Sequence, residues 1–421
     1  MGCLLLAHCL LLVTVALPFE CNGAPVHRPA QVAAEVYADK ALEHFYSLEF
    51  EEARRLYTKA LEVEHDNAEW WVGLAHVRMF QHLRSAGRFD AQIYGASNNL
   101  MPKPPPADPQ FEREMWTALE RARELCEQRL AANADDAEAH YALGLAYAVE
   151  SNFHLNARRK PLDALAPATK AKNHHLRVRA LDPANHDANF VIGTYEYAIG
   201  SVPAAFRWVL RLVGHSGSKH HGVELMHDAM LNGQRIVPSV LVTLAYVYAR
   251  EKQHAASRQM LEHLARFYPR SVLFPMEIAA SYAREGKPAA AAQTYQEIVR
   301  KFESGAAGYH RLDASRLYFQ AAVMHEHAKQ YQQAVVAYDK SLTAIESAPT
   351  RARAQCAQGS RASPPSQFAR LHAHVLLRLG HITATLGQKE KARTLLERAA
   401  ASPFREVQRA AKSKLESLPP K

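Results

Sequence analysis

The sequence is short of most of the parts from which protein chemistry is built. Of its 421 residues only five are cysteine, and Cys3, Cys9 and Cys21 crowd into the first 21 positions. The other two, Cys126 and Cys356, are too few and too far apart for a disulfide framework or a cysteine zinc site, and read as free or buried thiols. Glycine (18) and proline (22) are too scarce for a collagen or a low-complexity chain. There is no phosphate-binding P-loop, no Gly-x-Gly-x-x-Gly after a strand and no His-Glu-x-x-His. Gly214-His215-Ser216-Gly217-Ser218 approaches a nucleophile elbow, but Ser218 stands where the last glycine belongs and a helical pattern precedes it. Basic and aromatic residues do not interleave as they do in nucleic-acid readers. The expectation is a protein that is no enzyme, with no catalytic residues, no cofactor and no nucleic-acid partner.

Long apolar runs are also missing, with one exception. Residues 3–19 are almost wholly apolar and lead through Pro18 into Glu20-Cys21-Asn22-Gly23-Ala24, the layout of a secretory signal peptide spanning 1–23. Cleavage after Gly23 or Ala24 is expected, giving an exported chain, periplasmic or secreted, without an integral membrane span thereafter. No Lys or Arg precedes the apolar core, so the alternative is an uncleaved N-terminal anchor. Over the whole chain the composition is that of a folded protein, with 48% hydrophobic and 22% charged residues. Lys and Arg exceed Asp and Glu by 51 − 42 = +9, which suits acidic proteins, anionic polysaccharide or a membrane surface as partners.

What is present is a period. Pro238–Ser271 and Val272–Gly305 abut at a 34-residue step. Leu241, Leu244-Ala245, Tyr248, Ser257 and Leu261 in the first window answer to Ile278-Ala279, Tyr282, Gly286, Ala291 and Tyr295 in the second. The same step joins Ala34–Asn67, carrying Ala41, Phe50, Ala53, Tyr57 and Ala60, to a unit opening at Ala68 with Trp71-Val72-Gly73-Leu74-Ala75. Leu143-Gly144 and Tyr147, Ile192-Gly193, then Ala322, Tyr331, Ala334 and Tyr338, and finally Gly380, Gly387, Ala392, Leu396 and Ala399 mark further units. Small residues let two antiparallel helices approach, and Tyr, Leu and Phe fill the flanks. Helices of about 12–15 residues are marginal alone, so stacking must supply the stability.

This pattern resembles the tetratricopeptide repeat. It predicts an all-α, right-handed superhelical solenoid of about eight helix pairs opening near 34, 68, 137, 186, 238, 272, 315 and 373. The array runs over 34–345 with insertions near 84–110 and 200–222. A flexible loop follows over 346–365, then a last repeat and capping helix over 366–418. The first insertion holds Met101-Pro102-Lys103-Pro104-Pro105-Pro106-Ala107-Asp108-Pro109, an extended polyproline-like chain feeding a helix near Phe111 and read as a rigid surface crossover, the alternative being a docking segment for an aromatic groove. In the second, Gly200-Ser201-Val202-Pro203 leads into a basic amphipathic helix carrying Arg207 and Arg211, followed by Gly214-His215-Ser216-Gly217 and Gly222-Val223-Glu224-Leu225-Met226. That combination is similar to a tetratricopeptide subfamily with mitochondrial-surface and inclusion-body-clearance members.

The resemblance implies a noncatalytic scaffold holding a protein or peptide in a concave groove lined by the first helix of each pair. Placed on that pattern, the partner-binding residues are His76, Phe80, Tyr141, Phe190, Thr194, Tyr197, Tyr246, Arg250, Arg284, Arg316 and Gln320. An extended peptide or helix with apolar anchors and an acidic end would complement them. The asparagine–lysine clamp that some members use on a chaperone carboxylate does not map here. Histidines cluster at 174–175, 215–227, 325–327 and 372–374, and are expected to be solvated or groove-lining rather than metal ligands. The alternative function is a carrier holding a metal or small ligand in segment 215–227, where His220 and His227 share a helix face.

Overall fold

The structure is a computed structural model that describes residues 29–86, 108–347 and 367–418, and among these every regular element is helical. The leader at 1–23, Met101–Ala107 of the proline-rich segment, Cys356 and nearly all of the 346–365 loop lie outside the described residues. Helix α1 (Pro29–Tyr46) pairs with α2 (Phe50–Val63), and α3 (Ala68–Ser85) with α4 (Pro109–Ala132). Helix α5 (Ala137–Asn152) runs into a π turn at Phe153–Ala157 and pairs with α6 (Pro161–Leu181). In the fourth pair α7 (Ala188–Gly200) meets α9 (Lys219–Asn232), with a further helix α8 (Ala204–Leu212) between them in sequence. Helices α10 (Val237–Arg250) and α11 (His254–Phe267) follow. Then come α12 (Leu273–Arg284) with α13 (Pro288–Glu303), α14 (Ala314–His327) with α15 (Tyr331–Glu346), α16 (Gln367–Thr385) with α17 (Lys389–Ala400), and α18 (Arg405–Glu416). The described helices fall into two compact units, α1–α11 and α12–α18, with the division after Pro269.

The pairs turn by one device. The chain leaves the first helix through a residue of positive φ, which is Leu48, Lys252, Gly286, Lys329 or Gly387 in five of the pairs. Two backbone bonds close the turn. After α10 the Lys252 N–H donates to the Ala249 carbonyl (3.2 Å) and the Gln253 N–H to Tyr248 (2.8 Å). After α12 the Gly286 and Lys287 N–H groups donate to Ala283 (3.2 Å) and Tyr282 (2.9 Å) in the same pattern. These bonds use helix-end carbonyls that would otherwise lack donors. Glycine adopts the conformation freely, whereas leucine or lysine gives up about 1 kcal/mol to its Cβ.

Between the helices the small residues lie at the crossings. Ala53, Ala60, Ala122, Ala291, Ala292 and Ala334 are wholly buried, and Tyr57, Tyr141, Phe153, Phe190, Phe274 and Tyr338 fill the layers beside them. Each such aromatic side chain contributes roughly 2–3 kcal/mol of burial. Two buried serines tie helices to backbone, Ser257 donating to the Ala245 carbonyl (2.7 Å) and Ser341 to Ser315 (2.7 Å). In the second unit Glu326 accepts from both Tyr338 (2.7 Å) and Arg378 (2.9 Å), tying α14, α15 and α16 together.

The first unit closes on itself. Tyr46 at the end of α1 is hydrogen-bonded to Ser239 in α10 (3.0 Å), and its ring lies 4.7 Å from that of Tyr268, just past α11. The N-termini of α3, α5 and α7 bring Glu69, Glu138 and Asp187 to the segment that starts α10. There the Arg235 guanidinium lies 3.1 Å from Glu69 and 2.7 Å from Glu138. The Asp187 carboxylate accepts the backbone N–H groups of Gln234 (2.9 Å), Arg235 (3.0 Å) and Ile236 (3.4 Å). Carboxylates are favoured at helix N-termini, where unpaired N–H groups carry partial positive charge. Burial pushes the Glu69 carboxyl up to about 7, with Arg235 pulling against it. Burial likewise raises Asp187 against the backbone bonds that lower it.

Candidate functional site: an apolar cavity beside an exposed helix

The local sequence dictates an interruption after α7. Pro203, in extended backbone (φ −52°, ψ 143°), caps the start of α8. Nine residues later α8 ends in the turn already described, with Gly214 at φ 83°, the Gly214 N–H on Arg211 (3.1 Å) and the His215 N–H on Leu210 (2.8 Å). His215 is then pinned by its Nδ1 atom, 2.8 Å from the Tyr195 hydroxyl on α7. The chain returns into α9, which crosses α7 with Gly193 against Gly222. A Cβ on Gly193 would lie 2.6 Å from the Gly222 carbonyl oxygen, and one on Gly222 2.5 Å from the Tyr197 nitrogen. No other residue fits at either position without moving a helix.

Around this crossing the two neighbouring helices differ. Eleven of the thirteen α7 residues are buried, while α8 buries none of its nine. Between the start of α6, one face of α7 and α8 lies a cavity of about 560 Å³. Its walls are Leu155 of the π turn, Leu162, Leu165 and Ala168 of α6, and Val191, Thr194, Tyr195, Ala198 and Ile199 of α7. Val202 and Pro203 line it next, and Phe206, Val209 and Leu210 of α8 complete it. The hydroxyls in the wall are already used, Ser151 donating to the Ala164 carbonyl (2.9 Å) and Thr194 to Phe190 (2.8 Å). The Tyr195 ring lies 4.3 Å from the Lys172 ammonium, and burial pushes its phenol above the ordinary value. Lys160 and Asp163 also line the cavity, 3.6 Å from one another. A space of this lining suits apolar groups of a ligand or partner.

The groove residues expected from the sequence are mostly elsewhere. His76, Phe80, Tyr141, Phe190, Thr194, Tyr197 and Gln320, expected to line a groove, are all buried. In the first unit most of them pack within their own or the adjacent pair, and Tyr141 against Arg235. His76 sits 4.9 Å from the rings of both Phe45 and Phe80, and burial drops its imidazole to about 3. Tyr141 lies 5.5 Å from the Arg235 guanidinium. Tyr197 donates to Glu251 (2.8 Å) and has the Arg250 guanidinium 5.9 Å from its ring centre. Tyr246, Arg250 and Arg316 are half-buried and Arg284 is exposed, 3.5 Å from Glu277. Of the eleven, Thr194 alone lines the cavity.

The histidines also separate. His175 is fully buried, donating Nδ1–H to the Ala171 carbonyl (2.9 Å), and burial lowers it to about 4; it is neither solvated nor groove-lining. His220 lies 3.4 Å from Glu224, whereas His227 faces the Tyr248 hydroxyl. Among the described residues no group of three or more His, Cys, Asp or Glu is placed to hold a metal ion. Cys126 is a buried free thiol, pushed up to about 12 by burial. The cavity walls on α6 escaped sequence reasoning. The signal within reach was α8 itself, where two arginines share nine residues with seven apolar ones.

Residues 185–347 match the family model described as Iml2/Tetratricopeptide repeat protein 39. The matched stretch begins just ahead of α7 and ends just past α15, so it includes α8. No curated protein matches the chain. Among solved structures, yeast Tom70 is similar at 13% identity and a TM-score of 0.36, over 91% of this chain and 95% of that one. PilF of Pseudomonas aeruginosa is similar at 16% identity and a TM-score of 0.33, over 67% and 100%. The human IFIT1 dimer with PPP-AAAA is similar at 14% identity and a TM-score of 0.35, over 93% and 85%. Likenesses at this level carry no argument about what the chain does.

Proposed function

Taking the chain as a tetratricopeptide-type repeat protein, we propose that it is an exported, noncatalytic scaffold that binds a protein or peptide partner. The observation that supports this most directly is the apolar cavity of about 560 Å³, bounded by two helices of the repeat frame and one inserted helix. A partner would seat apolar side chains there from a helix or an extended segment, as interface anchors do in desolvated pockets. The excess of basic over acidic residues favours an acidic flank on that partner.

The test is to fill the seat. Ala198 faces the cavity from α7, and Ala198→Trp places a large side chain in it. Affinity capture from the native cell envelope with wild type and Ala198→Trp is expected to lose one specific protein in the variant, with the melting temperature kept. Equal capture by both would remove the cavity from the reading. A small apolar compound found by native mass spectrometry in wild type and missing from the variant would replace the protein partner by a carried ligand. Export is tested separately: secreted material should begin near Ala24 or Pro25, and an intact Met1 would favour the anchor.

A further inference from the structure

The outward side of α8 is a second surface, distinct from the cavity. Phe206, Val209 and Leu210 line the cavity, but Trp208, Leu212 and Val213 do not, and these three are 60%, 75% and 62% exposed. On a helix of 3.6 residues per turn Trp208, Leu212 and Ala205 share one face, and Arg207 and Arg211 lie along its border. Neither arginine has a carboxylate partner among the described residues. From Tyr197 to Val223, between Glu196 and Glu224, there are 27 residues with no Asp or Glu, while Arg207, Arg211 and Lys219 are all basic. Glu196 on α7 lies 3.8 Å from Lys172 and Asp163 in the cavity wall 3.6 Å from Lys160, while Lys219 is paired with Glu251 at 2.7 Å, which leaves Arg207 and Arg211 as the basic groups of this surface.

We propose that α8 docks the protein on an anionic lipid surface, with Trp208 and Leu212 in the headgroup region and Arg207 and Arg211 on lipid phosphates. The chemistry is that of interfacial helices, where tryptophan and aliphatic side chains enter the boundary layer and basic side chains add attraction to anionic lipid. Nine residues give a helix of about 13 Å, less than half the roughly 30 Å hydrocarbon core, so α8 lies in the interface and does not cross it. Among the described residues no helix is long and apolar enough to span a membrane. Because α8 buries nothing, seating it in lipid removes no packing from the fold.

The experiment uses the full chain with vesicles of phosphatidylcholine carrying brominated acyl chains, alone or mixed with phosphatidylglycerol. Bromine quenches only tryptophan within the bilayer boundary, so subtracting the Trp208→Phe variant isolates Trp208 from Trp70, Trp71 and Trp116 and from any lipid contact of the N-terminal segment. The expected result is Trp208 quenching on the anionic vesicles and little on phosphatidylcholine alone. Arg207→Gln with Arg211→Gln should weaken it about thirtyfold, the worth of two basic side chains at an anionic surface. Leu212→Ser should weaken it further, with circular dichroism unchanged in every variant. Vesicle binding that leaves Trp208 unquenched, or quenching indifferent to lipid charge and to both arginines, would overturn the proposal. Concentration-dependent self-association lost in Leu212→Glu, with Trp208 unquenched, would overturn it in favour of a second copy of the chain.

Discussion

Helices α7 and α8 are three residues apart, and each is largely apolar, yet one is almost entirely buried and the other not at all. What separates them is the spacing of what is small. Helix α7 carries Gly193, which lets α9 approach backbone to backbone and covers one face, while α6 covers another. Helix α8 has alanines only at its first two positions, then bulky side chains around most of its circumference. No neighbour comes near enough to bury it, and the cavity beneath is the space left by that mismatch. Apolar content states that a helix wants a partner; only the small residues state where one can sit.

The comparison can be broken from the α7 side first. Asp187→Ala removes the acceptor for three backbone N–H groups and a charge partner of Arg235, and should cost about 3 kcal/mol in denaturant unfolding. A loss under about 0.5 kcal/mol would show that the start of α10 does not depend on it. Gly193→Ala forces α7 and α9 apart and should cost about 1–3 kcal/mol. Because α8 hangs from this crossing, its variant should also change the protease sensitivity of residues 204–213.

Acid should act on the same interior. His76 and His175 are lowered to about 3 and about 4, so between pH 6.5 and those values the unfolded chain binds protons that the folded one does not. Their contribution is complete above pH 6.5 and is lost on acidification, by about 1 kcal/mol for each histidine between pH 6.5 and 5.5. Glu69, raised to about 7, works the other way over part of that window and offsets some of the loss. Equilibrium unfolding at stepped pH checks the sign, and His76→Phe should flatten the slope. In the turns, Lys329→Gly relieves a positive φ of 57° and should stabilise by about 0.5 kcal/mol. The smallest effect is expected on α8, where Trp208→Ser with Leu212→Ser should move stability by less than about 0.5 kcal/mol. A larger loss would mean that the outer face of α8 is packed after all.

What the sequence made legible is whatever repeats locally. Gly286 and Gly387 at the pair turns, the alanines at the crossings, and Tyr282, Tyr295 and Tyr338 in the layers all follow from a period a reader can measure. So did the odd fourth unit, with Pro203 opening a helix and Gly214 closing it. Contacts made across the first unit were not legible. Nothing in the 34-residue step says that Tyr46 reaches Ser239, or that Asp187 serves the start of α10, because those partners stand 193 and about 48 residues away. The burial of His76, Phe80 and Tyr197 was not legible either, because a period gives the face a residue is on and not how tightly the next pair covers it. The cavity was missed because its walls come from α6, α7 and α8 at once.

The closure of the first unit has an evolutionary side. Open repeat arrays change length by gaining or losing whole units, since each unit touches only its neighbours and an added one meets an unchanged surface. The first unit here has lost that freedom. With Tyr46 against Ser239 and Tyr268, and with Arg235 gathering carboxylates from three earlier helices, inserting or deleting a pair would pull the two ends out of register. Its five pairs are a fixed number, and new sequence can enter only where the chain already leaves the frame, as it does at α8.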